Sequence, residues 1–336
     1  MTKTIPLIRA ANILPLVRWM EMNRFDPNTF LEEVDLGYWY ALSPLDPVPA
    51  LSAIRLLGAL ARDQGPQIGT RIVTEASIAE LGFIGKAALG ARTPAEALFR
   101  ICHSIPLHSS HETMLIEEGE AQVTITEMLH MKIAVDDRHA VQVLLCALLQ
   151  QLCKFTGMQP PLLSRINMVG HTRLGTRYLE EFFGCPVHEA KTPAVSVVIK
   201  TSVAHNPFRK VARDRLAQMA SQQVPPLAEN QSLKASVRAV IAAMLHGGEP
   251  TIERLSRAAG TSTRTLQRRL AQEGTSFSEE LDRVRRKLAL EHIGAEDVSL
   301  PDLAERLGYT AQSALSRAIL RLTGQTPTQL IREGTH

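Results

Sequence analysis

The 336-residue chain is 45% hydrophobic, 21% charged and 4% aromatic, with a formal net charge of +3. That is the composition of a folded soluble protein with room for two domains, and it excludes a disordered or collagen-like chain. Residues 232–336 hold 15 Lys and Arg against 12 Asp and Glu while the residues before them balance, a bias too weak for a binder that relies on bulk charge.

The N-terminus carries Lys3, Arg9 and a short apolar run over residues 13–17 that Arg18 interrupts. This run does not read as a signal peptide. The most apolar stretch, residues 140–152, contains Gln142, Gln150 and Gln151 and is too short to span a bilayer. The expectation is a cytoplasmic protein with no membrane partner.

Residues 5–65 read as helices. Ile13, Leu16, Val17 and Met20 have helical spacing, and Asp26-Pro27 is a cap followed by a first-turn residue, opening a helix over 28–34. Pro44, Pro47 and Pro49 break the chain before 50–61, where Leu51, Ile54, Leu57 and Leu60 recur every three residues. Residues 68–73 are β-prone. Thr93 and Glu96 predict a capping box on a helix running to about Ile105. Residues 113–117 and 121–126 alternate around Glu118-Gly119-Glu120 and predict a hairpin. A long helix follows over 136–155, with strands at 166–171 and 195–200 and helices at 173–183 and 207–220. Helices interleaved with short strands and a hairpin predict an α+β domain over 1–221. Residues 222–231, with Pro225-Pro226, read as the linker.

Nothing in this first part asks for a catalytic residue or a cofactor. Cys102, Cys146, Cys153 and Cys185 lack C-x-x-C spacing and read as reduced and mostly buried. His103, His108 and His111 lie near Cys102, but their spacing fits neither a zinc finger nor H-E-x-x-H, so no metal is expected. No Gly-rich phosphate loop and no G-x-S-x-G are present. With Tyr38-Trp39-Tyr40 the sole aromatic cluster, a sugar ligand is disfavoured. A small apolar or acidic molecule held among Leu, Ile and Met with one Arg suits the composition.

The second part, 233–336, is read as all-α. A leading helix covers 233–245. Thr251 caps a helix whose Ile252, Leu255 and Ala259 share a face and which Gly260 stops. Ser262 caps the next, residues 262–270, which buries Leu266 and Leu270 and turns Thr263, Arg264, Gln267 and Arg268 outward, with Arg269 beside them for phosphate. The grammar then repeats. Leu300, Leu303, Ala304 and Leu307 share a face, Gly308 stops that helix, and Thr310 caps residues 311–322, which bury Leu315, Ala318, Ile319 and Leu322. Gln312, Ser313, Ser316, Arg317 and Arg321 point outward. Between the units a helix over 277–294 carries Leu281, Val284, Leu288 and Ile293 as its buried stripe, and Thr326-Pro327 starts a last short helix. Exposed Arg and Gln on a braced second helix are what base-edge reading in a major groove requires.

These residues carry a resemblance. Leu266-Gln267-Arg268, Arg285, Ala289, Leu303-Ala304, Leu307-Gly308-Tyr309, Gln312 through Ala318 and Gly324-Gln325-Thr326-Pro327 stand in the order seen in the AraC/XylS family of bacterial transcription regulators. Residues 235–333 resemble that family's double helix-turn-helix DNA-binding domain. By this resemblance, Arg264, Gln267 and Arg268, then Gln312, Ser313 and Arg317, face bases. The chain departs from the pattern at Leu315 and Ile319, where relatives have Phe, at Leu320, where they carry a cation, and at Leu330, where they have Tyr. Gly69-Thr70-Arg71, Leu81-Gly82, Gly85, residues 93–98, residues 183–187 and Asn206-Pro207-Phe208 resemble the arabinose-binding-type N-terminal domain attached to one branch of the family. The resemblance implies a homodimer that binds double-stranded promoter DNA, a small-molecule effector of unknown identity in the N-terminal domain, and RNA polymerase as a further partner. An enzymatic N-terminal domain tethered to DNA is the alternative, and a non-specific architectural DNA protein is a third reading. Ala314 on the second reading face and Leu320 in place of a cation predict that the first unit sets most of the sequence preference.

Overall fold

The computed structural model describes residues 4–209, 226–227, 232–293, 299–309, 311–327 and 329. Strand β1 (Leu7–Arg9) pairs antiparallel with β2 (Pro47–Pro49), so residues 5–65 are not wholly helical. The fixed φ of Pro47 and Pro49 suits an extended edge, which the helical reading overlooked. Between them run helices α1 (Leu14–Met22) and α2 (Pro27–Glu33), the latter capped by the Asp26 carboxylate, which accepts from the Asn28 N–H as expected. Helix α3 (Ala50–Gln64) starts directly after Pro49.

Helices α4 (Ile68–Ile72), α5 (Ser77–Glu80), α6 (Phe83–Leu89) and α7 (Pro94–His108) come next, then the hairpin β3 (Glu112–Glu118) and β4 (Gln122–Leu129), then α8 (Val135–Lys154). Of residues 68–73, β-prone by composition, 68–72 are thus helical and Val73 is extended. A Cβ at Gly69 would lie 2.7 Å from the Leu144 backbone nitrogen, so α4 lies directly on α8, and tertiary packing overrides local preference. Thr93 accepts from the Glu96 N–H as a capping box requires, but the Glu96 carboxylate takes the N–H of Arg92 rather than that of Thr93.

Strand β5 (Arg165–Met168), helix α9 (Glu180–Phe183), strand β6 (Val187–Glu189), strand β7 (Val195–Lys200) and helix α10 (Thr201–Ala204) complete the first part. The helix expected over 173–183 shrinks to α9 and one 3-10 turn before it, because His171 and Gly175 bridge each other and turn the chain. The sheet order is β3-β4-β7-β5-β6, antiparallel except for β5 with β6. Of the helix expected over 207–220, residues 207–209 are not helical and the remainder lies outside the described residues, as does the linker apart from Pro226 and Leu227.

The C-terminal part is all-α: α11 (Leu233–Leu245), α12 (Ile252–Ala258), α13 (Thr263–Gln272), α14 (Phe277–Ile293), α15 (Leu300–Arg306) and α16 (Gln312–Thr323). An α+β part followed by an all-α part is the expected fold class. Three apolar clusters hold the molecule. One joins the sheet to α6, α7 and α8. A small one belongs to α14, α15 and α16. The third takes residues from both parts: Leu16, Leu36, Tyr38 and Leu57 share it with Val237, Met244, Leu255, Leu266 and Leu270.

Candidate nucleic-acid interface and effector cavity

The first helix-turn-helix is built as its sequence dictates. The Thr251 hydroxyl accepts from the Arg254 N–H, and the Ser262 hydroxyl accepts from the Thr265 N–H, so both helices start on satisfied caps. Gly260 takes φ 62° in the turn, and Gly308 takes φ 68° at the same place in the second unit. Leu266 and Leu270 are fully buried. That fixes the rotation of α13 and leaves Arg264, Gln267 and Arg268 exposed along one side, with Thr263 and Arg269 half-buried at its margins.

In the second unit Leu303, Ala304, Leu307, Leu315 and Ile319 form the core. Gln312, Ser313 and Arg317 are exposed on α16, and Ala314 and Ser316 are half-buried. Leu320 is exposed, so the departure from the family's cation falls on the outer surface. Arg321 is exposed but lies 3.6 Å from the Asp282 carboxylate of α14. The Thr310 cap and the Leu322 and Leu330 side chains lie outside the described residues.

Helix α14 separates the units. Its 17 residues span about 26 Å at 1.5 Å per residue. Arg285, a mark of the resemblance, has a structural task. Its guanidinium donates to the carbonyls of Leu307 and Gly308, both at 2.8 Å, and stacks 4.6 Å from the Tyr309 ring centroid. It thereby ties α14 to the turn that aims α16. Glu280, buried at the other end of α14, accepts from Arg238 on α11, from Thr275 and from Arg283. These bonds outweigh the burial that raises it and hold its carboxyl below the usual range.

The first unit also docks on the N-terminal part, which sequence reasoning missed. Asp35, at φ 60°, accepts two bonds of 2.7 Å from the Arg257 guanidinium and lies 3.7 Å from Arg254. Both arginines are on α12. Arg55 of α3 donates to the Arg257 carbonyl at 3.1 Å, and the Ile5 N–H donates to the Ser236 hydroxyl on α11 at 3.0 Å. Tyr38 is buried in this contact beneath Arg254, so one member of the aromatic cluster belongs to the joint. No sequence periodicity reports a contact between residues 222 positions apart.

A cavity of about 200 Å³ lies between the α3, α6, α7 and α8 helices and the β3–β4 hairpin. Its walls are aliphatic, among them Leu16, Ile54, Leu57, Ile84, Leu145 and Leu148. Its polar groups are Asn12, His108, Glu112 and Glu127. Among the described residues no Lys or Arg lines it, so none of them supplies the arginine expected beside an acidic ligand. His108 Nε2 is 2.7 Å from Asn12 Oδ1, and burial, with Arg9 nearby, pushes the His108 pKa down to about 3. Burial raises both carboxyls, and the neighbouring Glu112 raises Glu127 further. The other histidines of the expected cluster go elsewhere: His103 bonds the Phe99 carbonyl and His111 bonds Ser110. Burial pushes the Cys102 thiol up to about 11, which removes the thiolate that a nucleophile needs.

Two family models match this chain. Residues 25–207 match the one described as the arabinose-binding domain of AraC transcription regulators, N-terminal, and residues 255–333 match a helix-turn-helix domain. The chain belongs to the AraC family of transcription regulators. It is an effector-controlled, DNA-binding regulator of transcription, as the resemblance implied. The HTH-type transcriptional regulator VirS of Mycobacterium tuberculosis is 26% identical over 332 residues, which is 96% of each chain. The ornithine utilization regulator of Pseudomonas aeruginosa is 25% identical over 268 residues, 78% of this chain and 77% of that one. The crystal structure of the transcriptional regulator CdpR from Pseudomonas aeruginosa aligns over 96% of this chain and 98% of its own, with 20% identity and a TM-score of 0.44. No helix among the described residues is long and apolar enough to cross a membrane.

Proposed function

We propose that α13 and α16 read two boxes of one promoter half-site, and that the cavity is where the effector acts. The observation that carries the first statement is the exposed row Arg264, Gln267 and Arg268 on a helix whose opposite face is fully buried. Arg pairs with guanine O6 and N7, and Gln with adenine N6 and N7. Gln312, Ser313 and Arg317 present the weaker set on α16. Thr263, Arg269 and Arg321 flank these rows as phosphate contacts, with Arg321 leaving Asp282 when DNA binds. Two boxes fill only one half-site, and specific affinity calls for a larger interface, which supports a homodimer formed through the N-terminal domain. RNA polymerase in the cytoplasm is the partner such a bound regulator addresses.

Helix α3 supports a route from cavity to DNA. Ala50, Ala53, Ile54 and Leu57 face the cavity. Arg55, on another face, bonds α12, and Leu51 lies against Gly260, where an added Cβ would come within 2.8 Å of its Cδ2. A ligand that shifts α3 biases the helix that braces α13, and coupling of this kind is a difference in affinity between two arrangements. The high thiol pKa of Cys102 and the aliphatic walls support a sensor rather than an enzyme.

The test is titration of the native site with Arg268→Ala and Arg317→Ala. Each should lose about 1–3 kcal/mol of specific binding, with little change on random DNA. Equal losses on both DNAs mean that the arginines hold phosphate and that the reading face is wrong.

A further inference from the structure

The family model's description points to a sugar, but the cavity does not. A sugar carries hydroxyls around its ring and needs polar partners on several sides. Here Asn12, His108, Glu112 and Glu127 are the polar side chains among the described lining residues, and the remaining walls are aliphatic.

These polar groups have a definite sign. His108 is 5% exposed and Glu127 is 3% exposed, and both line the cavity. Asn12 Oδ1 accepts from His108 Nε2, so the neutral ring presents a bare lone pair at Nδ1. Among the described residues, His108 Nδ1 and Glu127 Oε1 have no hydrogen-bond partner. Buried polar atoms are ordinarily bonded, and unbonded ones call for an explanation. Nδ1 is an acceptor, and Oε1 is one while the Glu127 carboxyl is ionised, the form that a cation bound beside it favours against its burial.

Glu112 stands beside Glu127. In the hairpin register Glu112 faces Leu129 and Met114 faces Glu127, so the two glutamates are diagonal neighbours on the face that lines the cavity. The charge of nearby Arg138 acts on Glu127, while its N–H groups point at carbonyls. Arg138 donates to the carbonyls of Met131, Leu129 and Pro193, and Arg9 donates to those of Leu107 and Leu45.

We propose that the effector is a compact aliphatic amine whose ammonium group is held by Glu112, Glu127 and His108 and whose hydrocarbon body fills the cavity between α3, α6 and α8. An ammonium offers three donors and no acceptor, which matches the two unpartnered acceptors and the paired carboxyls. A carboxylate head offers only acceptors, gives His108 Nδ1 no donor and is repelled by whichever glutamate is ionised. A hydroxyl offers one donor and no charge. The cavity of about 200 Å³ has room for a short chain or a small ring system. This inference rests on the reading of the cavity as the effector site.

The test uses the purified full chain with three probes of one length: n-heptylamine, heptanoate and n-heptanol. Calorimetry gives affinity, thermal unfolding gives the Tm shift, and titration of promoter DNA gives the coupling. At pH 7.5 heptylamine should bind and raise Tm, heptanol should bind roughly tenfold or more weakly, and heptanoate should show no binding. Glu127→Gln should weaken the amine about tenfold and leave heptanol unchanged, and Glu112→Gln should do the same if the first variant unfolds. Heptanoate binding better than the amine overturns the ligand class and leaves the cavity as the effector site. Amine binding with no change in DNA affinity keeps the class and overturns the regulatory reading. No binding by any probe to the folded protein overturns both.

Discussion

Arg285→Ala should melt the second helix-turn-helix while leaving the first folded. The side chain is 9% exposed and is the fork that satisfies the carbonyls of Leu307 and Gly308. Truncation leaves two acceptors without their donors, at about 1–3 kcal/mol each, and removes the stack on Tyr309. The small cluster around Leu303, Leu315 and Ile319 is the second unit's own core and shares no buried residue with the larger clusters. A loss of about 3 kcal/mol is therefore large for it. Hydrogen exchange should show protection vanishing over residues 299–323 and persisting over 252–272. The DNA footprint should shrink to one box. Arg285→Lys should not restore it, since a point charge cannot make both bonds and the stack together. Unchanged protection in α15 and α16 would mean that the apolar cluster alone holds the unit.

Gly85→Ala should be as damaging in the N-terminal domain. An added Cβ would sit 1.8 Å from the Ile78 carbonyl oxygen and 2.9 Å from its carbon. The obstacle is backbone, so no rotamer change relieves it, and α5 must move off α6. Overpacking of this kind costs about 3 kcal/mol at its upper range. Ile78, Ile84 and Ala88 line the cavity on the same two helices, so ligand binding should fall with stability. Denaturant titration of the full chain is the measurement. A change within about 0.5 kcal/mol of the wild type, the range of an innocuous surface substitution, would mean that α5 yields freely and the close approach is not required.

Much of this was legible in sequence because it is local. The Thr251 and Ser262 caps, the Gly260 and Gly308 turns and the buried pairs on α13 and α16 lie within a few residues of one another, so spacing reports them. The hairpin and β7 were legible for the same reason: alternation reports which face of a strand is buried. What failed was non-local. Residues 68–72 are helical because α8 lies against Gly69. Pro47–Pro49 is a strand because Leu7–Arg9 lies alongside it. Arg285 could be seen as a family mark but not as the bracket of a turn more than 20 residues away. Asp35, Arg254 and Arg257 read as ordinary surface charges until the fold brings them together. The glutamates were passed over because Glu112 and Glu127 lie on different strands, and only the hairpin register sets them side by side on the cavity wall.

The most direct measurement of the account is selection of binding sites from random DNA with the purified full chain. The account predicts an enriched half-site with two boxes about 34 Å apart, one helical turn, and more information in the box under Arg264, Gln267 and Arg268 than in the box under Gln312, Ser313 and Arg317. Enrichment of a single box, of two boxes at another spacing, or of no sequence at all would contradict it.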